Sequence, residues 1–460
     1  MTQQKAVNVR SFIDERPVSR EQFLVLVLVV LIIAFDGVDV VIMGFAAPEI
    51  IRTWGITKAE MGTVLSSVFF GMAAGAALAG PMADRFGRKL AIVTCVLWFG
   101  LATLLSALAT GVPSLLALRA LAGVGLGAAV PCALALMAEY APQPKRSLLL
   151  TVAFSGFSAG ATIAGFLAAW LIPTFGWKVT LATAGLLPAV FAGILAYRLP
   201  ESVAFLALKG RSDVIPAILS RIDPRYHFAN GASFWIPVAA DEPKGSFAIL
   251  MSRRYVVTAA MLCIAYFMVL LANYVIIGWL PVIAKEAGFT LAQGAIITSV
   301  FTLAGTVGAI CLGAAMDRME VHKLLVVTST IAAILLACVG MVPKGFFGLC
   351  VFMLALGFFF LATVTGLQAL APQSFPTSAR ATGVSCMHAV GRVGAISSGM
   401  LGGLLLGWGW TLAQIFLALA VPMLVMASAV AIMGGWKAKM ASGPGLPDGI
   451  GERHASRMVV

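Results

Sequence analysis

Long apolar runs, broken by glycine, proline and charge, organise this chain. Phe23–Phe35, Leu90–Leu108 and Leu324–Val342 are long enough, or nearly so, to cross ~30 Å of hydrocarbon at ~1.5 Å per residue. Counting runs between breaks predicts twelve membrane-spanning helices, at 22–43, 61–80, 90–110, 114–138, 148–172, 178–198, 254–282, 292–315, 323–342, 346–370, 383–407 and 411–435. A polar tail, 1–21, precedes them and another, 436–460, follows. The one long polar segment between spans, 199–253, divides them into bundles at 22–198 and 254–435.

Composition agrees with a polytopic membrane protein. The chain is 60% hydrophobic and 11% charged, where soluble domains carry about 25% charged residues. The net charge of +12 would suggest nucleic acid as a partner if it formed one patch. It does not. With the N-terminus placed in the cytoplasm, cytoplasmic segments hold 24 of the 31 Lys and Arg residues, outer loops five and the membrane two. This is the positive-inside asymmetry, so the basic excess is read as topology, with both tails cytoplasmic. No removable signal peptide stands apart from the first span. All seven cysteines fall in predicted spans without CxxC spacing and are read as packing residues, with neither disulfides nor a metal site expected.

The halves align at an offset of 233 or 234. "DVVIMGF" from Asp39 matches "NYVIIGW" from Asn273, and "GPMADR" from Gly80 matches "GAAMDR" from Gly313. "EYAPQPKR" from Glu139 matches "QSFPTSAR" from Gln373, and "FGW" at 175–177 matches "WGW" at 408–410. A duplicated six-helix unit predicts two bundles around an axis along the membrane normal, with a cavity between them.

"GPMADRFGRK", 80–89, resembles the signature of the major facilitator superfamily between its second and third spans, through Gly80, Asp84, Arg85, Gly87, Arg88 and Lys89. The second copy keeps Gly313, Asp317 and Arg318 but has Glu320 and His322 where Gly87 and Lys89 stand. "DGVD" at 36–39, "LPES" at 199–202 and "APQSFPTSARATG" at 371–383 together resemble the aromatic acid:proton symporter family, which includes 4-hydroxybenzoate and protocatechuate transporters. The resemblance implies an all-α fold of twelve transmembrane helices in two pseudo-symmetric six-helix bundles. It also implies proton-coupled import of a small aromatic carboxylate across a bacterial inner membrane.

Asp36 and Asp39 lie in an otherwise apolar run. Three residues apart on a helix is ~60°, so both face one side. An acid near the bilayer centre costs ~2.5–3.5 kcal/mol on insertion scales, so that side faces the bundle interior or water. Burial disfavours the ionised form of a carboxylate, and a second acid nearby disfavours it further; such a pair suits a proton carrier. In the second half Asp36 has no polar counterpart (Leu270) and Asp39 aligns with Asn273.

Only two bases lie deep in spans, Arg119 and Arg392. Arg119 is about five residues in from the outer end of span 4, and Asp36 and Asp39 are about fourteen and seventeen in from the inner end of span 1. The levels overlap, so Arg119 is the expected ion-pair partner. Arg392 lies near mid-membrane with His388 one turn before it, and a deep guanidinium suits bidentate capture of a substrate carboxylate. Asn273, Tyr274, Gln368 and Ser385 are candidates to orient a ring hydroxyl; Phe69, Phe154, Phe301 and Trp279 are candidates to stack on a ring. The expected cytoplasmic gate comprises Gly80, Asp84, Arg85, Arg88, Lys89, Glu139, Arg146, Asp317, Arg318, His322 and Arg380.

Other classes fit less well. A drug/proton antiporter would need a cavity of net negative charge, which the deep arginines oppose, and "GFSAGATIAG" at 156–165 lacks the span 5 proline typical of such exporters. A transporter of another organic anion stays open. An enzyme or channel would need catalytic or pore-ring motifs, and no HExxH, GxSxG, P-loop or carboxylate ring occurs. No cofactor is expected, and a monomer suffices for alternating access.

Overall fold

The computed structural model describes residues 7–211, 213–226, 234–235, 246–252, 254–316, 318–342 and 345–442, with backbone alone for 246–247, 377 and 437–442. Twelve helices span the apolar runs. In the first half they are α1 Arg20–Trp54, α2 Lys58–Phe86, α3 Arg88–Ser106, α4 Val112–Tyr140, α5 146–175 and α6 177–198. In the second they are α7 Val256–Glu286, α8 Leu291–Met316, α9 Val321–Cys338, α10 Phe346–Gln373, α11 Thr377–Gly407 and α12 Leu412–Ser442.

Local chemistry sets several boundaries. A capping box between Ser19 and Gln22 starts α1, and Gly55, at φ 64°, ends it. Thr57 and Glu60 start α2 in the same way. Helices α5 and α6 form one run, Arg146–Arg198, broken only at Gly176 with φ 81° and ψ 170°, a conformation that glycine adopts readily. Pro48 does not end α1, which runs eleven residues past its expected end at 43.

Within each bundle, glycines bring helix backbones together. Gly37 abuts Phe157, and Gly156 and Gly160 abut Val30 and Ala34, seating α5 on α1. Gly71, Gly75, Gly123 and Gly127 seat α2 on α4, and Gly100 with Gly185 seats α3 on α6. In the second half α7 packs along α11, α8 along α10 and α9 along α12.

Three helix pairs join the bundles: α2 with α11, α5 with α8, and α1 with α7. Their contacts run from mid-membrane to the face opposite the chain termini. A Cβ on Gly44 would lie 2.6 Å from the Gly278 carbonyl oxygen. Ser66 donates to the Ile396 carbonyl at 2.6 Å, and Thr162 and Thr302 hydroxyls meet at 3.0 Å. At the opposite face Lys58 pairs with Glu286 at 3.1 Å, and Lys285 donates to the Pro48 carbonyl at 3.4 Å. Among the described residues no hydrogen bond or ion pair joins the bundles on the terminal side. The polar contacts named here between the bundles thus lie from mid-membrane toward the face away from the termini.

The terminal face also carries docked polar segments. The tail forms a short helix, Val9–Asp14, and Val7–Asn8 pairs in parallel with Phe234–Trp235. A second short helix, Ile215–Ile222, buries Ile215, Ile218, Leu219 and Ile222. Arg16 joins this segment to the tail through Asp223 at 3.0 Å.

The glycine contacts make a graded prediction. At Gly123 a Cβ would sit 2.1 Å from the Val68 carbonyl oxygen, whereas at Gly80 it would meet nothing within 4 Å. Gly123→Ala is expected to lose on the order of 1–3 kcal/mol through forced separation of α2 and α4, and Gly80→Ala to unfold like the parent. Thermal unfolding in detergent checks both; equal midpoints would contradict this packing.

Candidate functional site

The two acids of α1 share a side of the helix but not an environment. Asp39 is 1% exposed and points into the first bundle. Arg119 of α4, also 1% exposed, donates from Nη1 to Asp39 Oδ2 at 3.1 Å and from Nη2 to Oδ1 at 3.5 Å. Thr103 of α3 closes a triangle: its hydroxyl donates to Asp39 Oδ1 and accepts from Arg119 Nη2 at 2.6 Å. Two carboxylate oxygens and two guanidinium nitrogens are thereby satisfied; Arg119 Nε has no hydrogen-bond partner.

Asp36 is 4% exposed, and its Oδ1 has no hydrogen-bond partner. Its electrostatic neighbours are Asp39 behind it and Arg392 of α11 across the bundle junction. Arg392 also acts on Tyr266 and Tyr274 of α7 and on His388. These side chains, drawn from both bundles, lie within electrostatic reach of one another.

Tyr266, absent from the expected set, organises the second-bundle side of this group. Its hydroxyl accepts from Gln368 Nε2 at 2.9 Å, and its ring meets the His388 imidazole edge-on at 5.1 Å. Its ring also packs where a Cβ on Gly391 would lie, at 2.2 Å, beside Arg392. A signal existed: Tyr266 and Tyr274 lie one helical turn either side of Leu270, the counterpart of Asp36. Tyr274 stacks at a tilt on Phe69 at 4.5 Å, joining α7 to α2.

The other expected cavity residues are dispersed. Ser385, His388 and Phe154 are exposed, and Arg392 is half-buried. Asn273 is buried with its Oδ1 unpartnered. Trp279 and Phe301 are fully buried in packing. Trp279 donates from Nε1 to the Gly399 carbonyl at 3.1 Å, and Phe301 packs on Phe360 and the Gly357 backbone. Both rings are committed to helix contacts and present no free face to the junction.

At the terminal face of the first bundle, Arg88 Nε donates to Glu139 Oε1 at 2.5 Å, and Ser202 donates to the other carboxylate oxygen. Glu201, from the "LPES" segment but outside the expected gate, accepts from the backbone N–H of Lys89 at 3.0 Å and thereby caps α3. Gly87 makes room for it: at φ 93° it opens α3, and a Cβ there would lie 2.4 Å from Glu201 Oε2. Tyr140 donates to the Glu201 carbonyl at 2.7 Å. Ends of α3, α4 and α6 are thus tied into one block.

The remaining gate candidates stand apart from that block. Gly80, Asp84, Arg85, Arg318 and Arg380 are exposed, and Asp84 makes no ion pair among the described residues. Arg146 is half-buried with Nε unpartnered. His322 packs against Gly434. Asp317 lies outside the described residues.

Comparison with known proteins places this geometry in a wider set. A family model described as Major Facilitator Superfamily matches residues 29–257 and 262–452. The chain is 39% identical to the 4-hydroxybenzoate transporter PcaK of Pseudomonas aeruginosa, covering 93% of this chain and 96% of that protein. It is also 39% identical to a gallate transporter of Pseudomonas putida, over 95% and 97% of the respective lengths. A benzoate transport protein of Acinetobacter baylyi is 30% identical over 91% of each. Among solved structures, a D-xylose–proton symporter superposes with a TM-score of 0.68 at 16% identity, covering 89% of this chain and 97% of that one.

The Asp39–Arg119–Thr103 triangle predicts a non-additive pair. Arg119→Met leaves an uncompensated buried carboxylate and is expected to cost ~3–5 kcal/mol. The double variant Asp39→Asn/Arg119→Met should recover most of that loss. Folded yield and thermal midpoint in detergent measure both; a single variant as stable as the parent would show that the pair carries no such weight.

Proposed function

The chain belongs to the major facilitator superfamily, and from that premise we propose that it imports a small aromatic carboxylate of the 4-hydroxybenzoate type together with protons. The observation that carries this reading is a buried acid of the first bundle, Asp36, with no hydrogen-bond partner at Oδ1 and within electrostatic reach of a guanidinium of the second, Arg392. Relatives at 39% identity are named as carriers of 4-hydroxybenzoate and gallate, both hydroxylated benzoates, which supports the substrate class.

Arg392 binds the substrate carboxylate, and Tyr266, Tyr274 and Gln368 line the space around it. Substrate on Arg392 withdraws the positive charge that otherwise answers Asp36, so Asp36 takes up a proton in its place. The Asp39–Arg119 pair holds the field behind Asp36 constant. Proton and anion then cross together. Without the proton, an inside-negative potential opposes entry of the anion by ~2.3 kcal/mol per charge per 100 mV.

The charge asymmetry of the loops supports a cytoplasmic terminal face, and the bacterial relatives support an inner membrane. The side of the junction away from its named polar contacts then faces inward. Opening and closing proceed by rocking of the bundles about the junction. The Arg88–Glu139 block belongs to the first bundle's rigid end. Asp84, Arg85 and Arg380, exposed here, are the groups available for new ion pairs when the cytoplasmic side closes. A single chain contains both halves of the site and works as a monomer.

Two predictions separate the roles of the opposite charges. Asp36→Asn keeps size but cannot carry a proton. It is expected to abolish uphill uptake of labelled 4-hydroxybenzoate in proteoliposomes while leaving counterflow exchange measurable. Accumulation at the parent level, at equal reconstitution, would remove Asp36 from coupling. At the other charge, Arg392→Lys should weaken binding despite keeping its sign, because the two-pronged geometry is lost. Arg392→Gln should lose on the order of 2–5 kcal/mol and with it the preference for the acid over its amide. Calorimetry on folded protein decides; an unchanged acid-to-amide preference in the Gln variant would place the carboxylate elsewhere.

A further inference from the structure

The amino-terminal segment is more than a polar lead-in. Arg10 reaches from the helix Val9–Asp14 to the end of α4, where helical carbonyls lack intrahelical partners. Its Nη1 donates to the carbonyls of Ala138 at 3.3 Å and Glu139 at 3.2 Å, and its Nη2 donates to that of Ala141 at 3.0 Å. A cation at a helix C-terminus is also favoured by the helix dipole. Asp14, one turn on, pairs with Arg10 at 3.0 Å and accepts from the backbone N–H of Gln143 at 2.8 Å. The tail therefore grips the α4–α5 turn from both sides.

Its other side is anchored independently. Val9, Phe12 and Ile13 are buried, Arg16 lies over the Phe12 ring at 3.5 Å, and Arg16 pairs with Asp223 of the central segment. Arg16 and Arg225 hold the Asp223 carboxyl below its usual range. A depressed carboxyl contributes its stability above its ordinary value and loses it only as pH falls through the lowered one, so this anchor is in place at neutral pH.

One of the carbonyls that Arg10 holds belongs to Glu139, whose side chain is shared between Arg88 and Ser202. We infer that Arg10 is a positioning residue for transport: it fixes the end of α4 so that Glu139 stays between Arg88 and Ser202 while the bundles rock. Arg10 acts through backbone, so no other side chain at its own position supplies the same fork. Lys keeps the charge and part of the bonding; Ala keeps neither.

The inference rests on the transport activity proposed above, so uptake by the parent chain is measured first; failure there counts against that activity and not against Arg10. Initial rates of 4-hydroxybenzoate uptake and its binding constant are then compared for the full-length parent, Arg10→Ala, Arg10→Lys, Ser202→Ala and the double variant Arg10→Ala/Ser202→Ala. Arg10→Ala is expected to lower maximal rate about fivefold or more, with binding within twofold of the parent, and Arg10→Lys to regain part of it. In the double variant the two losses should combine to less than their product, since both act on Glu139. An unchanged rate, a matching fall in binding, or losses that multiply in full would each overturn the assignment. Where Arg10→Ala yields no folded protein, Arg10→Lys alone and combined with Ser202→Ala is read against the same outcomes.

Discussion

A charge inside hydrocarbon has three resolutions: a partner, a proton, or contact with water. The first bundle uses more than one within a single helical turn. Asp39 is answered by Arg119 and Thr103 and is locked. Asp36 has no hydrogen-bonding partner at Oδ1 and lies within electrostatic reach of Arg392 of the second bundle. The locked pair makes the free acid usable. Breaking a buried pair is costly, so in the proposed cycle Asp39 and Arg119 stay fixed and Asp36 is the acid that changes state. Were Arg119 free to choose, it would neutralise whichever acid was ionised, and the proposed link between proton and substrate would be lost.

Duplication sharpens this point. Asn273 stands where Asp39 stands in the first half, but Arg119 and Thr103 fall opposite apolar residues of α10 and α9, fully buried Met353 and Leu336 among them. The second bundle thus lost the ion triangle and kept one buried amide with an unpartnered oxygen. Arg392, conversely, aligns with Ser158 or Ala159 of α5. Each half contributes one sign to the junction: the acid comes from the first bundle and the base from the second. In the proposed cycle, rocking of the bundles would change the distance between these opposite charges and so convert a rigid-body motion into a change in electrostatic energy.

Legibility in the sequence followed the range of the interaction involved. Span count and the two-bundle division were legible because each span is a local run of apolar residues. Asp39 with Arg119 was legible because only two bases lie deep in the membrane, and depth along two helices already matches them. Tyr266, Thr103 and Glu201 were not singled out. Each acts through helix rotation or end-to-end packing between segments far apart in sequence, so neither the spacing of Tyr266 from Leu270 nor the place of Glu201 in "LPES" tells which contact it makes. Trp279 and Phe301 failed as ring walls for the same reason: an aromatic on a cavity helix turns toward the cavity or away from it, and rotation decides. The docking of the polar tail was not legible because Arg10 bonds to backbone carbonyls, which leave no trace in residue identity.

The seal between the bundles keeps the symmetry that the site has lost. Gly44 and Gly278, which meet across the junction, are themselves repeat equivalents at an offset of 234. On one flank Ser66 of α2 lies 2.5 Å from where a Cβ of Gly399 would stand, and on the other Ser299 of α8 lies 1.9 Å from that of Gly165. Ser66 and Ser299 are equivalents at 233, Gly165 and Gly399 at 234. One serine-on-glycine contact therefore occurs twice, either side of a glycine-on-glycine centre. Such a seal has no long side chains to disentangle, and each serine hydroxyl has a backbone carbonyl to bond, as Ser66 to Ile396 and Ser299 to Ala295 show. Close backbone contact supplies attraction in a bilayer, where no hydrophobic drive pulls helices together. Its shallow relief lets the same surfaces part without large rotamer changes. Symmetry in the seal and asymmetry in the charge are thus separate inheritances of one duplication: the first suits the proposed motion, and the second would give it a direction.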